Sequence, residues 1–187
     1  YHGLKYPYLN GLKRIYLGFK NNKYFYKGLI NKFFITNDYC LDNLLNNLYI
    51  NLSYPLSYWN ICNYKDSKIL YDIYGKNNGK IYGDVFKLNF GKKNQYIIFN
   101  SVSLSKLQDC AFSISLSIYL NNLSCQKGEY IIFSNLEFQK HNGYSIIFVN
   151  KDKKYIKFIL RKLNKNYEII SPIPIQISVW HNILVTY

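Results

Sequence analysis

The sequence contains no methionine, a single alanine and two arginines, and it has 10 acidic residues against 24 basic ones. The scarcity of alanine argues against a mainly helical fold, because alanine is the strongest helix former. Without a methionine at its start, the chain is expected to be a processed or excised piece of a larger protein. No apolar run approaches the ~18 residues of a transmembrane helix, so no membrane span is predicted.

The formal net charge of +14 indicates an anionic partner such as a nucleic acid, a sulfated glycan or an acidic membrane surface. A second explanation is compositional, because Lys, Asn, Ile, Tyr and Phe are all over-used and all have AT-rich codons. Arg14 and Arg161 are the two arginines. Because arginine is the side chain best suited to phosphate recognition, no nucleic-acid partner is predicted. The two explanations of the charge stay open.

Catalytic patterns are also missing. Glycoside hydrolysis requires two carboxylates flanking the scissile bond, and no predicted strand carries an acidic pair two residues apart. The histidines, His2, His141 and His181, are scattered, and neither a Gly-x-Ser-x-Gly elbow nor an HExxH motif occurs. The chain is therefore predicted not to be an enzyme.

The four cysteines are Cys40, Cys62, Cys110 and Cys125. They form no CxxC pair and no cluster with histidine, which argues against a zinc site. Three disulfide pairings are possible, and Cys110 with Cys125 is a plausible pair because the two bracket one predicted strand. Buried free thiols are the alternative, and the sequence leaves both open.

Aromatic residues make up 19% of the chain, and aromatic and β-branched side chains favour β-sheets. Residues 112–120 alternate strictly between apolar residues and Ser or Tyr, which predicts a strand with one face on a core. Further strands are predicted at 14–19, 24–35, 85–90, 96–99, 130–134, 144–150, 155–160, 173–179 and 181–187. Leucines at helical spacing predict one short helix at 41–49, and residues 66–83 are predicted to form a long loop, either without regular structure or with one short strand.

Four segments carry a family resemblance. Residues 180–187 (Trp-His-Asn-Ile-Leu-Val-Thr-Tyr), 112–120, 143–149 (Gly-Tyr-Ser-Ile-Ile-Phe-Val) and 55–59 (Pro-Leu-Ser-Tyr-Trp) resemble strands of the laminin-G-like, pentraxin-like domains of the concanavalin A-like superfamily. This resemblance implies an all-β, two-sheet antiparallel jelly-roll sandwich. The expected fold is therefore that sandwich with one short helix.

The order of the resembling segments is unusual, because residues 15–18 and 25–35 resemble the last two strands of the family and yet come first. Residues 1–52 would then hold closing strands and the helix, and residues 53–187 the opening and central strands. Either the chain contains parts of two domains, or it closes into one permuted sandwich. We favour one sandwich over 1–187, because an isolated third of a jelly roll would expose bare sheet edges.

Calcium often accompanies this superfamily, and it requires six to eight oxygen ligands. Asp66, Asp72 and Asp84 lie in or beside the 66–83 loop and are the candidate ligands. The expectation is no cofactor, or a single weakly bound Ca²⁺. The alternative is that these residues form turns by bonding their own backbone.

Two candidate ligand-binding regions follow. Tyr74, Asn77, Asn78 and Tyr82 share the long loop and are predicted to form a sugar-binding rim, with a solvated loop as the alternative. A basic hairpin is predicted to bind an anionic ligand such as heparan sulfate, which the resemblance implies, or else to protect a sheet edge. Its residues are Lys151, Lys153, Lys154, Lys157, Arg161, Lys162 and Lys165.

These features together predict a non-catalytic binding or adhesion module at the cell surface or outside the cell. Its expected partners are a glycan or glycosaminoglycan, or a protein. The alternative function is a scaffold domain that contacts only protein, which predicts an exposed apolar patch and no affinity for glycans.

Overall fold

The computed structural model describes residues 14–18, 26, 28–36, 57–59, 68–74, 77–83, 89–90, 95–100, 111–121, 127–136 and 143–187. Within these ranges the chain forms strands and no helix, so the prediction of an all-β protein is confirmed. The predicted helix at 41–49 and all four cysteines (Cys40, Cys62, Cys110 and Cys125) lie outside the described residues.

The strands form two antiparallel sheets. Their bounds are β1 Arg14–Leu17, β2 Gly28–Thr36, β3 Ser57–Trp59, β4 Ile69–Leu70, β5 Gly79–Tyr82, β6 Asn89–Phe90, β7 Tyr96–Asn100, β8 Ser113–Leu120, β9 Gly128–Ser134, β10 Gly143–Asn150, β11 Lys154–Lys162, β12 Lys165–Ile170 and β13 Trp180–Thr186. Sheet A has the order β12-β11-β10-β9-β1-β7-β5-β4. Sheet B has the order β13-β8-β2-β3, with β6 also paired to β2.

The alternating segment at 112–120 forms β8 in the middle of sheet B. Its apolar side chains at Ile114, Leu116, Ile118 and Leu120 are completely buried in the core. The serines between them line the opposite face of the sheet, where Ser117 donates a hydrogen bond to Asn182 of β13. The alternation of apolar and polar residues in the sequence thus gives β8 one buried face and one polar face, because successive side chains of a strand point to opposite sides.

The first two strands of the chain lie inside the sheets and not at their edges. In sheet A, β1 pairs with β7 on one side and with β9 on the other. In sheet B, β2 lies between β8 and β3. Strands from residues 1–52 and from residues 53–187 therefore share both sheets.

An aromatic cluster joins the two sheets at the centre of the core. The Phe33 ring of β2 stacks on Trp59 of β3 with 4.6 Å between ring centroids. The same ring meets Phe133 of β9 edge-on at 4.9 Å and lies 6.1 Å from Phe99 of β7. All four side chains are fully buried, so this cluster connects two strands of each sheet through one set of contacts.

Sheet A also buries apolar side chains on its outer face. Ile147 and Val149 of β10 pack with Ile159 of β11 in a cluster separate from the main core. Their sequence neighbours Ile146, Phe148 and Phe158 face the main core instead. This part of sheet A is therefore apolar on both faces, which explains why β10 reads as a nearly continuous apolar run.

Between β11 and β13 the prediction was wrong. Residues 173–179 were predicted as a strand, but the strand there is β12 at Lys165–Ile170, and residues 171–179 are irregular. Pro172 and Pro174 interrupt the second segment, since proline cannot donate to a ladder. The turn before β12 has two central residues, Leu163 and Asn164, with positive φ of 50° and 63°, as a type I′ hairpin requires.

Leu163 is a poor residue for this turn, because a left-handed conformation costs a bulky L-residue about 1–2 kcal/mol. The side chain is 76% exposed, so its replacement sacrifices little packing. We expect Leu163→Asn to raise the free energy of unfolding by about 1 kcal/mol, because asparagine tolerates this conformation. Urea unfolding measures the change. Leu163→Ala is the control, which keeps the conformational penalty and should bring no gain.

Candidate functional site

Asp72 organises the loop that carries the predicted sugar-binding residues. One carboxylate oxygen, Oδ1, accepts hydrogen bonds from the backbone N–H groups of Tyr58 (3.0 Å) and Tyr74 (3.2 Å). The other, Oδ2, accepts one from the N–H of Asn77 at 3.2 Å. The bond to Tyr74, two residues on, is the Asx turn typical of a turn-forming aspartate. Asp72 thus fixes the loop against β3 of sheet B.

Asn77 also contributes to the structure of the loop. Its side-chain Nδ2 donates to Ser57 at 2.6 Å, and its carbonyl accepts the indole N–H of the buried Trp59 at 3.0 Å. These bonds satisfy polar groups at the margin of the core, which would be costly to bury unpaired. Of the four residues predicted to form the rim, Asn77 therefore faces the protein.

The other three members of that rim lie on two separate surfaces. Tyr74 is 65% exposed and its ring lies 6.0 Å from that of Tyr58. Asn78 is exposed, and its Oδ1 accepts the backbone N–H of Asp72. Tyr82 lies on the outer face of sheet A, at the far end of β5.

Four side chains on the outer face of sheet A form what we call the tyrosine face: Lys80 and Tyr82 of β5, Tyr96 of β7 and Tyr16 of β1. Their orientation follows from the alternation of each strand, because Ile81, Ile97 and Ile15 face the core. Tyr82 is directly opposite Tyr96 in the β5–β7 register, and Tyr16 is opposite Ile98.

The rings of the tyrosine face contact one another. Tyr82 and Tyr96 stack with 4.8 Å between centroids and an interplanar angle of 13°, and Tyr16 lies 6.4 Å from Tyr96. The Lys80 ammonium lies 5.4 Å from the centre of the Tyr82 ring, within the range of a cation–π contact. The result is a row of aromatic rings with a positive charge at one side.

Sequence reasoning found Tyr82 but missed its three neighbours. Lys80 had a local signal, because the alternation of Gly79 to Tyr82 places Lys80 and Tyr82 on the same side of one strand. Tyr16 and Tyr96 had none, since their positions depend on pairings between strands far apart in the chain.

The residues of the predicted basic hairpin lie along β11 and at the turns on either side of it. Lys151, Lys153 and Lys154 lie at the β10–β11 turn, whereas Arg161, Lys162 and Lys165 lie at the β11–β12 turn. The two ends of β11, Lys154 and Lys162, are separated by about 26 Å at ~3.3 Å per residue. The basic residues of the two turns therefore form two clusters at opposite ends of β11.

Lys157, between these clusters, is already paired. Its ammonium lies 2.9 Å from a carboxylate oxygen of Glu129 on β9 and 3.9 Å from one of Glu168 on β12. Only 12% of its side chain is exposed, against 40% and 44% for the two glutamates. Lys157 is directly opposite Ile147 of β10 and Ile170 of β12, so its side chain lies at the edge of the outer apolar cluster.

Two further polar side chains, those of His181 and Tyr144, have structural roles. His181 makes a 2.9 Å hydrogen bond with the carbonyl of Gln176 in the crossover before β13. Tyr144 is fully buried, and burial raises the pKa of its hydroxyl far above the usual value, so the group stays protonated.

Among the residues that the structure describes, no three His, Cys, Asp or Glu side chains lie close enough together to hold a metal ion. Of the three candidate calcium ligands, Asp72 is engaged with backbone N–H groups, and Asp66 and Asp84 lie outside the described residues. The described part of the chain includes no helix long and apolar enough to cross a membrane.

Comparisons with known proteins return no matching family model, no matching curated protein and no matching solved structure.

Proposed function

We propose that this chain is a non-catalytic binding module of the laminin-G-like, concanavalin A-like jelly-roll class, and that its tyrosine face binds an acidic glycan. Two antiparallel sheets with a shared aromatic core support the proposed class. The placement of β1 and β2 inside both sheets supports one permuted sandwich over two partial domains. A glycan ligand implies that the protein acts outside the cell or at its surface.

The observation that carries the proposed ligand is the Tyr82–Tyr96 stack with Lys80 beside it. A tyrosine offers an apolar ring and a polar hydroxyl, which suits the C–H face and the hydroxyls of a sugar ring. Lys80 is exposed and adds one positive charge, which matches a carboxylate or a sulfate. A rigid set of aromatic rings on strands also loses little conformational freedom on binding.

The test is titration of the folded protein with a heparin-derived hexasaccharide at low and high salt. Lys80→Gln and Tyr82→Ala are each expected to weaken binding about tenfold, which corresponds to about 1.4 kcal/mol. The effect of Lys80→Gln should shrink at high salt, because salt screens exposed charges. Lys162→Gln is the matched control, since it changes the net charge equally on an exposed lysine of the β11–β12 turn.

Equal losses for Lys80→Gln and Lys162→Gln would show that only the overall positive charge attracts the glycan. If Tyr82→Ala binds the hexasaccharide with unchanged affinity and circular dichroism shows an intact fold, the tyrosine face is not the binding site.

A protein-contacting scaffold is the second candidate function, and one observation favours it. The described residues expose twelve large hydrophobic side chains, and eight of them lie between residues 163 and 187. These eight are Leu163, Tyr167, Ile169, Ile170, Ile173, Val179, Trp180 and Tyr187. Large apolar side chains left exposed in one segment of a chain are typical of a protein-binding surface.

A further inference from the structure

Among the strands whose burial the structure describes, β12 is the most exposed. All six of its residues are exposed, including Tyr167 (56%), Ile169 (65%) and Ile170 (52%). Among the described strands β12 pairs with β11 alone, and it ends the order of sheet A. Within the described part of the chain, one backbone edge of β12 therefore has no strand beside it, and the strand carries apolar side chains on both of its faces.

The register identifies which backbone groups point outward. The N–H of Ser171 donates to the carbonyl of Ile156 on the β11 side at 2.8 Å. In an antiparallel ladder, residues alternate between pointing both backbone groups at the partner strand and pointing both away. Counting back from Ser171, the backbone N–H and C=O groups of Asn166, Glu168 and Ile170 point away from β11.

Both ends of this open edge are defined. The Leu163–Asn164 turn precedes it, and Pro172 and Pro174 follow it. Proline lacks an N–H and cannot extend a ladder, so the edge that can accept another strand is Lys165–Ile170.

The charge around this edge selects its partner. Residues 143–187 contain seven lysines and arginines against two acids, Asp152 and Glu168. Lys162 and Lys165 are exposed at the start of β12, and Lys151 and Lys153 are exposed at the turn beyond its other end. A second copy of a chain with a net charge of +14 would be repelled, whereas an acidic segment would be attracted.

We propose that the β12 edge binds an extended segment of a partner protein, apolar in its middle and acidic towards its ends, as an added antiparallel strand. Main-chain hydrogen bonds to Asn166, Glu168 and Ile170 supply the pairing. The apolar side chains of the segment cover Tyr167 and Ile169 on one face and Ile170 on the other. This inference rests on the second candidate function and does not require glycan binding.

A fluorescent nine-residue peptide, Asp-Asp-Val-Thr-Val-Thr-Val-Asp-Asp, tests the proposal by fluorescence anisotropy against the whole chain. Ile170→Pro removes an outward N–H and leaves the β11 ladder unbroken, so it should weaken peptide binding at least about tenfold. Ile170→Ala is the matched variant, which loses the side chain but keeps the N–H, and about a threefold loss is expected. Urea unfolding confirms that both variants are folded.

If Ile170→Pro does not fold, variants of the peptide test the same proposal on the unmodified protein. With the unmodified protein, N-methylation of the central valine amides should abolish binding, and exchange of all aspartates for asparagine should weaken it about tenfold. Equal binding of the N-methylated and parent peptides would overturn strand addition. If the peptide with asparagine in place of aspartate binds as tightly as the parent peptide, the proposal that the partner segment is acidic is wrong.

Two further outcomes separate the alternatives. Dimerisation of the wild-type chain that Ile170→Pro abolishes would make a second copy the occupant and overturn the proposal. Lys80→Gln is expected to bind the peptide as the wild type does, which separates failure of the glycan proposal from failure of this one.

Discussion

Replacement of Phe33 by alanine is expected to lower the free energy of unfolding by about 4 kcal/mol, the middle of the range for buried aromatic truncations. Phe33 is fully buried and contacts Trp59, Phe133 and Phe99. These rings belong to β3, β9 and β7, so the truncation opens a cavity in a cluster that joins both sheets. Little relaxation is available there, because every neighbour is itself held in a strand.

Urea unfolding followed by tryptophan fluorescence and by far-ultraviolet circular dichroism measures this loss. Trp59 is fully buried whereas Trp180 is 47% exposed, so the fluorescence change mainly reports the core. Phe34→Ala is the matched control on the same strand, because Phe34 faces away from the core and is half-buried. A loss below about 1.5 kcal/mol for Phe33→Ala, equal to that of the control, would contradict a core shared by both parts of the chain.

Lys157→Glu is expected to lower the free energy of unfolding by about 3 kcal/mol, the low end for breaking a buried ion pair. The wild-type ammonium is 2.9 Å from Glu129 and 3.9 Å from Glu168, and the new carboxylate would face both at short range. Because only 12% of the Lys157 side chain is exposed, water screens this repulsion poorly.

Lys157→Met is the informative control. Methionine has a similar length and fits beside Ile147 and Ile170, and both glutamates keep at least 40% of their side chains exposed to water. We expect a change of less than about 1 kcal/mol for this variant, since an apolar residue often replaces a buried ion at little cost. A similar loss in both variants, measured by urea unfolding, would show that Lys157 stabilises the sheet through its charge.

Lys157→Met also tests whether Lys157 belongs to an anion-binding surface on the predicted basic hairpin. Lys157 was predicted as part of an anion-binding surface, and in the structure its charge is neutralised by two carboxylates. Lys157→Met should therefore bind a heparin-derived hexasaccharide as the wild type does.

Much of the fold could be predicted because its signals are local. β8 has an uninterrupted alternation, and β10 and β11 are separated by a polar turn at 151–153. The error at 173–179 has an equally local cause. Ile173, Ile175 and Ile177 alternate as a strand would, but the prolines at 172 and 174 outweigh the pattern. β12 escaped prediction because its turn, Leu163–Asn164, lacks the glycine that usually marks a type I′ hairpin.

The candidate site was less predictable, because it is made by long-range pairing. Tyr82 stood in a loop rich in Asn and Gly, but its stacking partner Tyr96 and the more distant Tyr16 come from other segments. The role of Asp72 was open between metal ligand and turn former. Two of the backbone N–H groups that donate to Asp72, those of Tyr74 and Asn77, are close to it in sequence, whereas the N–H of Tyr58 reaches it only because β3 lies beside the loop.

The most direct test of the central claim is an amide chemical-shift titration of the isotopically labelled protein with a heparin-derived hexasaccharide. The tyrosine face predicts that the largest shifts cluster on β5, β7 and β1, around Lys80, Tyr82, Tyr96 and Tyr16. Shifts confined to the two lysine-bearing turns of the β10–β12 region, or no shifts at any concentration, would contradict glycan binding at this face.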